Sequence, residues 1–206
     1  MQTRWLSQTG TDTALVVFGG WAVNSSPFER FARCVDLLFV SDYRDLSASI
    51  DVDNYDRVCV LAWSFGVAAY AHWQAENPDP FAAKAAVCGA LTPVDRLKGI
   101  PPSVFRRTVD GLSHDSFQTF LTHAFGQPQP EQALDVTART QELREVAARG
   151  PAPDTAFDRI WIADHDRIFP SANLERAWAD QGAAVRRIKA PHVPFDQFDH
   201  WTEVFA

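Results

Sequence analysis

Short apolar runs recur along the chain, separated by polar loops and by stretches of helical spacing. Ala14 to Phe18, Val35 to Val40, Val58 to Leu61, Ala85 to Ala90, Arg159 to Ala163 and Val185 to Lys189 read as strands. Between them, Ser25-Ser26-Pro27 with Phe28, Phe31 and Ala32 on one face predicts a helix over residues 24–34. Further helices are expected over Val67 to Trp73, over Asn173 to Asp180, and at the terminus through Trp201. Strand and helix alternate, which predicts an α/β fold on a mostly parallel sheet. The rhythm breaks between Leu91 and Phe157. There the pattern offers no comparable strand but three helices: one carrying Val104, Phe105, Thr108 and Val109, one carrying Phe117, Phe120, Leu121 and Phe125, and one from Leu134 to Ala148. The expectation is a single domain over residues 1–206 with a helical insertion over 91–157.

Composition narrows the class. At 206 residues, 46% apolar and 22% charged, the chain suits one packed globule with a sizeable core. A net charge of −7 argues against a nucleic-acid partner. No apolar run approaches the roughly 18 residues of a membrane helix, and the polar start Gln2-Thr3-Arg4 lacks a signal-peptide core. A cytoplasmic protein without a membrane partner is expected. Cys34, Cys59 and Cys88 are odd in number, and two lie inside strand-like runs, so they read as small buried hydrophobes.

The chemistry centres on Ala62-Trp63-Ser64-Phe65-Gly66, between a buried strand and a helix. A serine between small residues at a strand-to-helix turn is the pattern of a nucleophile elbow. The helix start offers free N–H groups and a positive dipole end to a developing oxyanion. Such a serine needs a neutral imidazole as base and an acid to orient it, and on an α/β-hydrolase fold these follow in the order Ser, acid, His. Ser64, Asp166 and His192 occur in that order, each after a strand. Asp164 is the rival acid, but Asp166 sits in the loop proper, with Ile168 and Pro170 fixing the turn. Gly19-Gly20-Trp21 follows an early strand, so the backbone N–H groups of Trp21 and Phe65 are the oxyanion candidates. The plain alternative is a serine and a glycine pair in ordinary turns.

Two metal readings need weighing. His192, Asp196 and His200 have the spacing of ligands along a helix, but Pro194 disfavours a continuous helix there. The acidic stretch Asp51 to Asp56 lacks the glycine and closing Glu of a calcium loop. No metal and no cofactor are expected.

The residues FGGW (18–21), LAWSFGV (61–67), LTPVD (91–95) with GIPPSVFRRTVDGLS (99–113), DRIFP (166–170) and PHVPF (191–195) with Trp201 resemble the BioG-type pimeloyl-[acyl-carrier protein] methyl ester esterases. These are small α/β hydrolases of biotin synthesis. The resemblance covers nearly the whole chain, and the GIPP-to-phenylalanine stretch is its most specific part. It implies Ser64 as nucleophile, His192 as base, and the Trp21 and Phe65 amides as oxyanion hole. Asp166 as the acid rests equally on the fold's general pattern. It also implies an acyl carrier protein bearing the pimeloyl methyl ester as partner, and residues 91–157 as a lid. Phe105, Phe117, Phe120 and Phe125 are then substrate contacts or helix-packing core. Residues 92–150 carry seven basic and seven acidic side chains, so the whole net charge lies on the body. Arg96, Lys98, Arg106 and Arg107 face only Asp95 within 92–109 and are candidates for docking the acidic carrier; ordinary solvated helix charges are the bland alternative. Two other functions fit the same residues: a carboxylesterase or thioesterase of other specificity, and a non-catalytic hydrolase-like binding protein.

Overall fold

The computed structural model describes residues 1–206, apart from the side chain of Ala183. Seven strands occur in chain order: β1 (Gln2–Ser7), β2 (Thr13–Phe18), β3 (Asp36–Ser41), β4 (Arg57–Trp63), β5 (Phe81–Val87), β6 (Arg159–Ala163) and β7 (Val185–Ile188). The five α-helices are α1 (Phe65–Gln74), α2 (Pro102–Asp110), α3 (His114–Phe125), α4 (Val136–Arg149) and α5 (Ser171–Ala177). The strands form one sheet in the order β1-β3-β2-β4-β5-β6-β7, parallel except for β1 against β3. From β2 the chain steps out to β3 on one side, then returns to β4 on the other. The C-terminal ends of β2 and β4 therefore flank a topological switch point, where open α/β sheets bind ligands.

The central strands are buried on both faces, which is why their sequences run continuously apolar. Ala14, Val16, Phe18, Val60 and Ala62 pack to one side with Tyr70 and Trp73 of α1 and Leu174 of α5. Leu15, Val17, Cys59, Leu61 and Trp63 pack to the other with Phe28, Phe31, Phe195, Phe198 and Trp201.

Residues 24–34 are not an α-helix. They form two 3-10 turns, Ser26–Phe28 and Phe31–Arg33. The terminal segment likewise consists of 3-10 turns, Phe195–Gln197 and Trp201–Phe205. The buried aromatics there fall at intervals of three, Phe28 and Phe31, then Phe195, Phe198 and Trp201. No two of them share a turn, and Phe198 is extended, so a succession of short turns keeps these aromatics on the core. The helix expected over 173–180 divides into α5 and a 3-10 segment, Ala179–Ala184. Strand β1 is an addition to the sequence reading. With Trp5 and Leu6 as its apolar residues, it has too little alternation to declare itself, and pairing with β3 makes it a strand.

Between β5 and β6 lie α2, α3 and α4, and Ala152 N–H donates to the Leu91 carbonyl at 2.8 Å, closing the base of the insertion. Helix α3 starts with a capping box, Ser113 with Ser116, and ends on Gly126 in the left-handed conformation. Among the described residues no helix is long and apolar enough to cross a membrane.

Candidate active site

Ser64 follows β4 directly and holds φ 60°, ψ −128°, a conformation that few residues other than glycine adopt. The turn is tight because the start of α1 runs against the end of β2. A Cβ on Gly66 would lie 2.2 Å from the Phe18 carbonyl oxygen and 2.6 Å from that of Gly19. Only glycine fits there, and the close approach brings the Phe65 end of α1 beside the loop that carries Trp21. Phe65 supplies one of the orphan N–H groups of the helix start. The Trp21 N–H meets no hydrogen-bond acceptor among the described residues.

The loop after β7 brings His192 over the switch point, and the loop after β6 brings Asp166. His192 Nε2 lies 2.9 Å from Ser64 Oγ, and His192 Nδ1 lies 2.7 Å from Asp166 Oδ2. The other carboxylate oxygen accepts from Ile168 N–H at 2.7 Å and Phe169 N–H at 2.9 Å. With an ionised Asp166, Nδ1 donates and Nε2 is left to accept from the serine hydroxyl. The His192 and Asp166 side chains are 1% and 0% exposed, so this line works in a medium where each hydrogen bond is electrostatically strong. Asp164 stands apart at the end of β6, where Arg187 pairs with it at 2.6 Å. His165 is exposed.

One cluster with metal-ligand spacing occurs among the described residues: Cys88, Asp166 and His192, their donor atoms within 4.8 Å of one another. Burial, with the Asp166 charge behind it, pushes the Cys88 thiol well up, so it stays protonated. His192, Asp196 and His200 do not align. The backbone leaves the Phe195–Gln197 turn extended, and the His200 ring turns to Thr202.

In front of Ser64 opens a cavity of about 320 Å³, between the sheet and the three inserted helices. Trp21, Phe65, Ile100, Phe105, Phe120, Leu143 and Ile168 make it apolar, with Arg107, His123 and Arg167 among its polar lining. Phe105 and Phe120 thus face the cavity, whereas Phe117 and Phe125 do not. On α3 the cavity side is Ser116, Thr119, Phe120 and His123. Phe117, Leu121 and Ala124 lie on the core side, a separation that 3.6 residues per turn imposes. Phe117 still contacts the site indirectly, edge-on to Trp21 at 6.3 Å. Arg96, Lys98, Arg106 and Arg107 are all exposed, and only Arg107 lines the cavity. A wider cleft of about 830 Å³, lined by Gln2, Arg4, Asn24, Gln132 and Arg139 among others, contains neither Ser64 nor His192.

Behind the Gly19–Trp21 loop lies a buried polar network that the sequence pattern did not disclose. Asp42 pairs with Arg44 at 2.6 Å and with Arg139 at 3.0 Å, and Arg139 pairs with Glu142 at 2.6 Å. Glu142 accepts from Tyr43 N–H at 2.8 Å, and Tyr43 Oη donates to the Gly19 carbonyl at 2.8 Å. Trp21 Nε1 donates to the Arg139 carbonyl at 3.0 Å. Burial, with Glu142 behind it, pushes the Tyr43 phenol well up and keeps it a donor. It joins residues 42–44 to residues 139–142, about a hundred positions on, and to Gly19 and Trp21, and the fold alone brings these segments together.

Comparison with known proteins gives consistent matches. The family described as Pimeloyl-ACP methyl esterase BioG matches residues 1–147. A Malonyl-[acyl-carrier protein] O-methyltransferase of Bacteroides fragilis is 30% identical over 191 residues, 87% of this chain and 39% of that protein. The chain therefore spans well under half the length of that relative. Among solved structures, BioG from Haemophilus influenzae superposes with a TM-score of 0.88 at 24% identity over 100% of both chains. A lipase-esterase related protein from Clostridium acetobutylicum gives 0.64 at 9% identity over 93% and 92%. The fold is that of the α/β hydrolases.

Proposed function

The chain belongs to the BioG family, and from that premise we propose that it hydrolyses the methyl ester of a pimeloyl group carried on acyl carrier protein. The observation that carries the reading is the hydrogen-bonded line Ser64–His192–Asp166, buried at the switch point and opening into an apolar cavity.

Ser64 Oγ attacks the ester carbonyl carbon while its proton passes to His192 Nε2. The carbonyl π pair moves onto oxygen, where the N–H groups of Phe65 and Trp21 receive the charge. Asp166 holds the imidazole in the tautomer that accepts at Nε2 and then stabilises the imidazolium. Collapse of the tetrahedral adduct breaks the bond to methoxy oxygen, which takes the His192 proton and leaves as methanol. Water, deprotonated by His192, then cleaves the acyl-enzyme and frees a carboxylate and the Ser64 hydroxyl.

The remainder of the reading concerns what reaches the serine. The cavity falls at the small end of ligand pockets, which run from about 300 Å³ upward. Its apolar wall suits a methylene chain, and α2, α3 and α4 form the lid over it. Leu97 and Val104 are the exposed large hydrophobics, 56% and 46%, and they lie among Arg96, Lys98, Arg106 and Arg107. Exposed apolar side chains close in sequence to exposed cations are suited to docking an acidic partner. The Bacteroides fragilis relative is named for methylating a carrier-bound malonyl group, and that favours a carrier-bound methyl ester here.

The test compares pimeloyl-carrier methyl ester with a short free ester. Ser64→Ala is expected to lose turnover on both and to resist a fluorophosphonate probe; retained turnover removes Ser64 as the nucleophile, and a wild type that turns over neither ester and takes no probe removes the enzyme reading. Lys98→Glu with Arg106→Glu, outside the cavity, is expected to raise KM for the carrier-bound ester about tenfold or more at low salt, leaving the free ester unchanged. Equal loss on both substrates removes the docking assignment.

A further inference from the structure

Trp63 immediately precedes Ser64 and is fully buried. A strand alternates its side chains, so Trp63 turns to the face opposite Ala62, toward Phe28 and Phe195. There its two ends meet two other parts of the site. The indole N–H donates to the His192 backbone carbonyl at 2.9 Å, in a fully buried position. The indole also packs against the imidazole, ring centroids 5.3 Å apart, while Phe169 stacks on it at 6.0 Å. The six-membered edge lies under Gly20, where an added Cβ would stand 2.7 Å from Trp63 Cζ3.

The base has a placement problem that the line Ser64–His192–Asp166 does not solve alone. His192 follows β7, and β7 is separated from β4 by β5 and β6. Its loop therefore crosses the sheet end to reach the serine. The next residue is tied to the insertion, Val193 N–H donating to the Ala124 carbonyl at 3.0 Å. The His192 carbonyl, in contrast, is tied to the strand that carries the nucleophile. A hydrogen bond from the residue adjoining Ser64 fixes the base relative to the nucleophile through one rigid side chain, and a tryptophan loses little freedom in doing so.

We propose that Trp63 is a positioning residue for the hydrolysis, its indole N–H holding the His192 main chain so that Nε2 stays within reach of Ser64 Oγ. The proposal rests on the reading of Ser64 and His192 as nucleophile and base. Its consequence is specific to turnover: the apolar cavity is untouched, so binding is preserved while the reacting geometry loosens.

Two replacements at position 63 test it, with one control. Trp63→Phe removes the N–H and part of the ring. Benzothienylalanine at position 63 keeps the outline and replaces the N–H by sulfur, which preserves packing where Trp63→Phe does not fold. The control is Trp73→Phe, which deletes a comparable buried indole hydrogen bond, to the Ala48 carbonyl at 3.1 Å, on the last turn of α1. Turnover of a short ester, its KM and the melting temperature are measured for each. Both position-63 variants are expected to lose kcat about 10- to 100-fold, since a misplacement of about 1 Å has costs of that order, with KM unchanged within about twofold. Trp73→Phe is expected to lower the melting temperature with kcat intact. Wild-type kcat in the benzothienylalanine protein overturns the proposal, whatever Trp63→Phe does. A fall in melting temperature at unchanged kcat for both also overturns it, by assigning the side chain to packing. Active Ser64→Ala would overturn the underlying nucleophile reading and this proposal with it; inactive Ser64→Ala beside wild-type position-63 variants overturns this proposal alone.

Discussion

Asp166 shows how a single side chain can be identified from loop position and then explained by contacts. Its Oδ1 accepts two backbone N–H groups from its own turn, and its Oδ2 faces His192 Nδ1 at 2.7 Å. Oδ1 is thus committed twice as an acceptor, and Oδ2 is shared with the imidazole. Asp166→Asn presents an amide donor or an uncharged oxygen to Nδ1 and lets the imidazole adopt the tautomer that cannot accept from Ser64. The expected outcome is a loss in kcat of about 10⁴-fold with the fold retained, measured on a short ester alongside circular dichroism. The choice of Asp166 over Asp164 was legible in the sequence because the turn Asp166-x-Ile168-x-Pro170 announces a loop, whereas Asp164 closes a strand. The hydrogen bonds of Trp63 and Tyr43 were not legible. A tryptophan or tyrosine in an apolar run reads as core, and only the position of its N–H or O–H against a distant carbonyl distinguishes it.

At the scale of elements, α4 is fixed to the body by buried charge rather than by apolar packing alone. Glu142 is 1% exposed and accepts from both Arg139 and the Tyr43 N–H, and Arg149 Nη2 donates to the Tyr43 carbonyl. Burial raises the Glu142 carboxyl, against the pull of Arg139 and the Tyr43 N–H. Truncating one partner of such a network leaves the others buried and uncompensated. Glu142→Ala is therefore expected to destabilise the protein by about 3 kcal/mol in urea unfolding, far more than the tenths of a kcal/mol typical of an exposed helix carboxylate. The three helices of the insertion were readable because their apolar residues recur at helical spacing between strong stop signals. What that spacing did not reveal is which face of α3 meets the cavity. Both faces carry phenylalanine, and contact with the sheet decides between them. The segments 26–33 and 195–205 read as helices for a related reason: their apolar spacing fits a helix, and only the folded chain shows it broken into short 3-10 turns.

Over the whole molecule, the sheet's antiparallel edge is held by Asp36. Its carboxylate accepts from Thr9 N–H at 2.6 Å, Thr9 Oγ1 at 2.9 Å, Gly10 N–H at 3.1 Å and Tyr55 Oη at 3.1 Å, joining β3 to the β1–β2 turn and to the loop before β4. Burial pushes this carboxyl up, but the four donors outweigh it and hold it below the ordinary value. A carboxyl depressed in the folded state contributes stability that is present above its unfolded pKa of about 3.9 and lost as the pH falls through the folded value. Asp36→Asn is accordingly expected to lower stability at neutral pH and to flatten the loss of stability below about pH 4, read from urea unfolding across pH. The sequence by itself determined the class of fold and set Ser64, Asp166 and His192 in chain order after successive strands, with helical spacing between β5 and β6, because strand burial, turn chemistry and helical spacing are local and leave periodic marks. Only the tertiary structure decided the distances among Ser64, His192 and Asp166, the charge network under Trp21, and the indole that joins β4 to the His192 main chain. The contacts that close them link residues from 26 to 129 positions apart, and no local pattern specifies them. The turn at Ser64 could be read from its neighbours, but what holds His192 over it comes from the packing of the sheet.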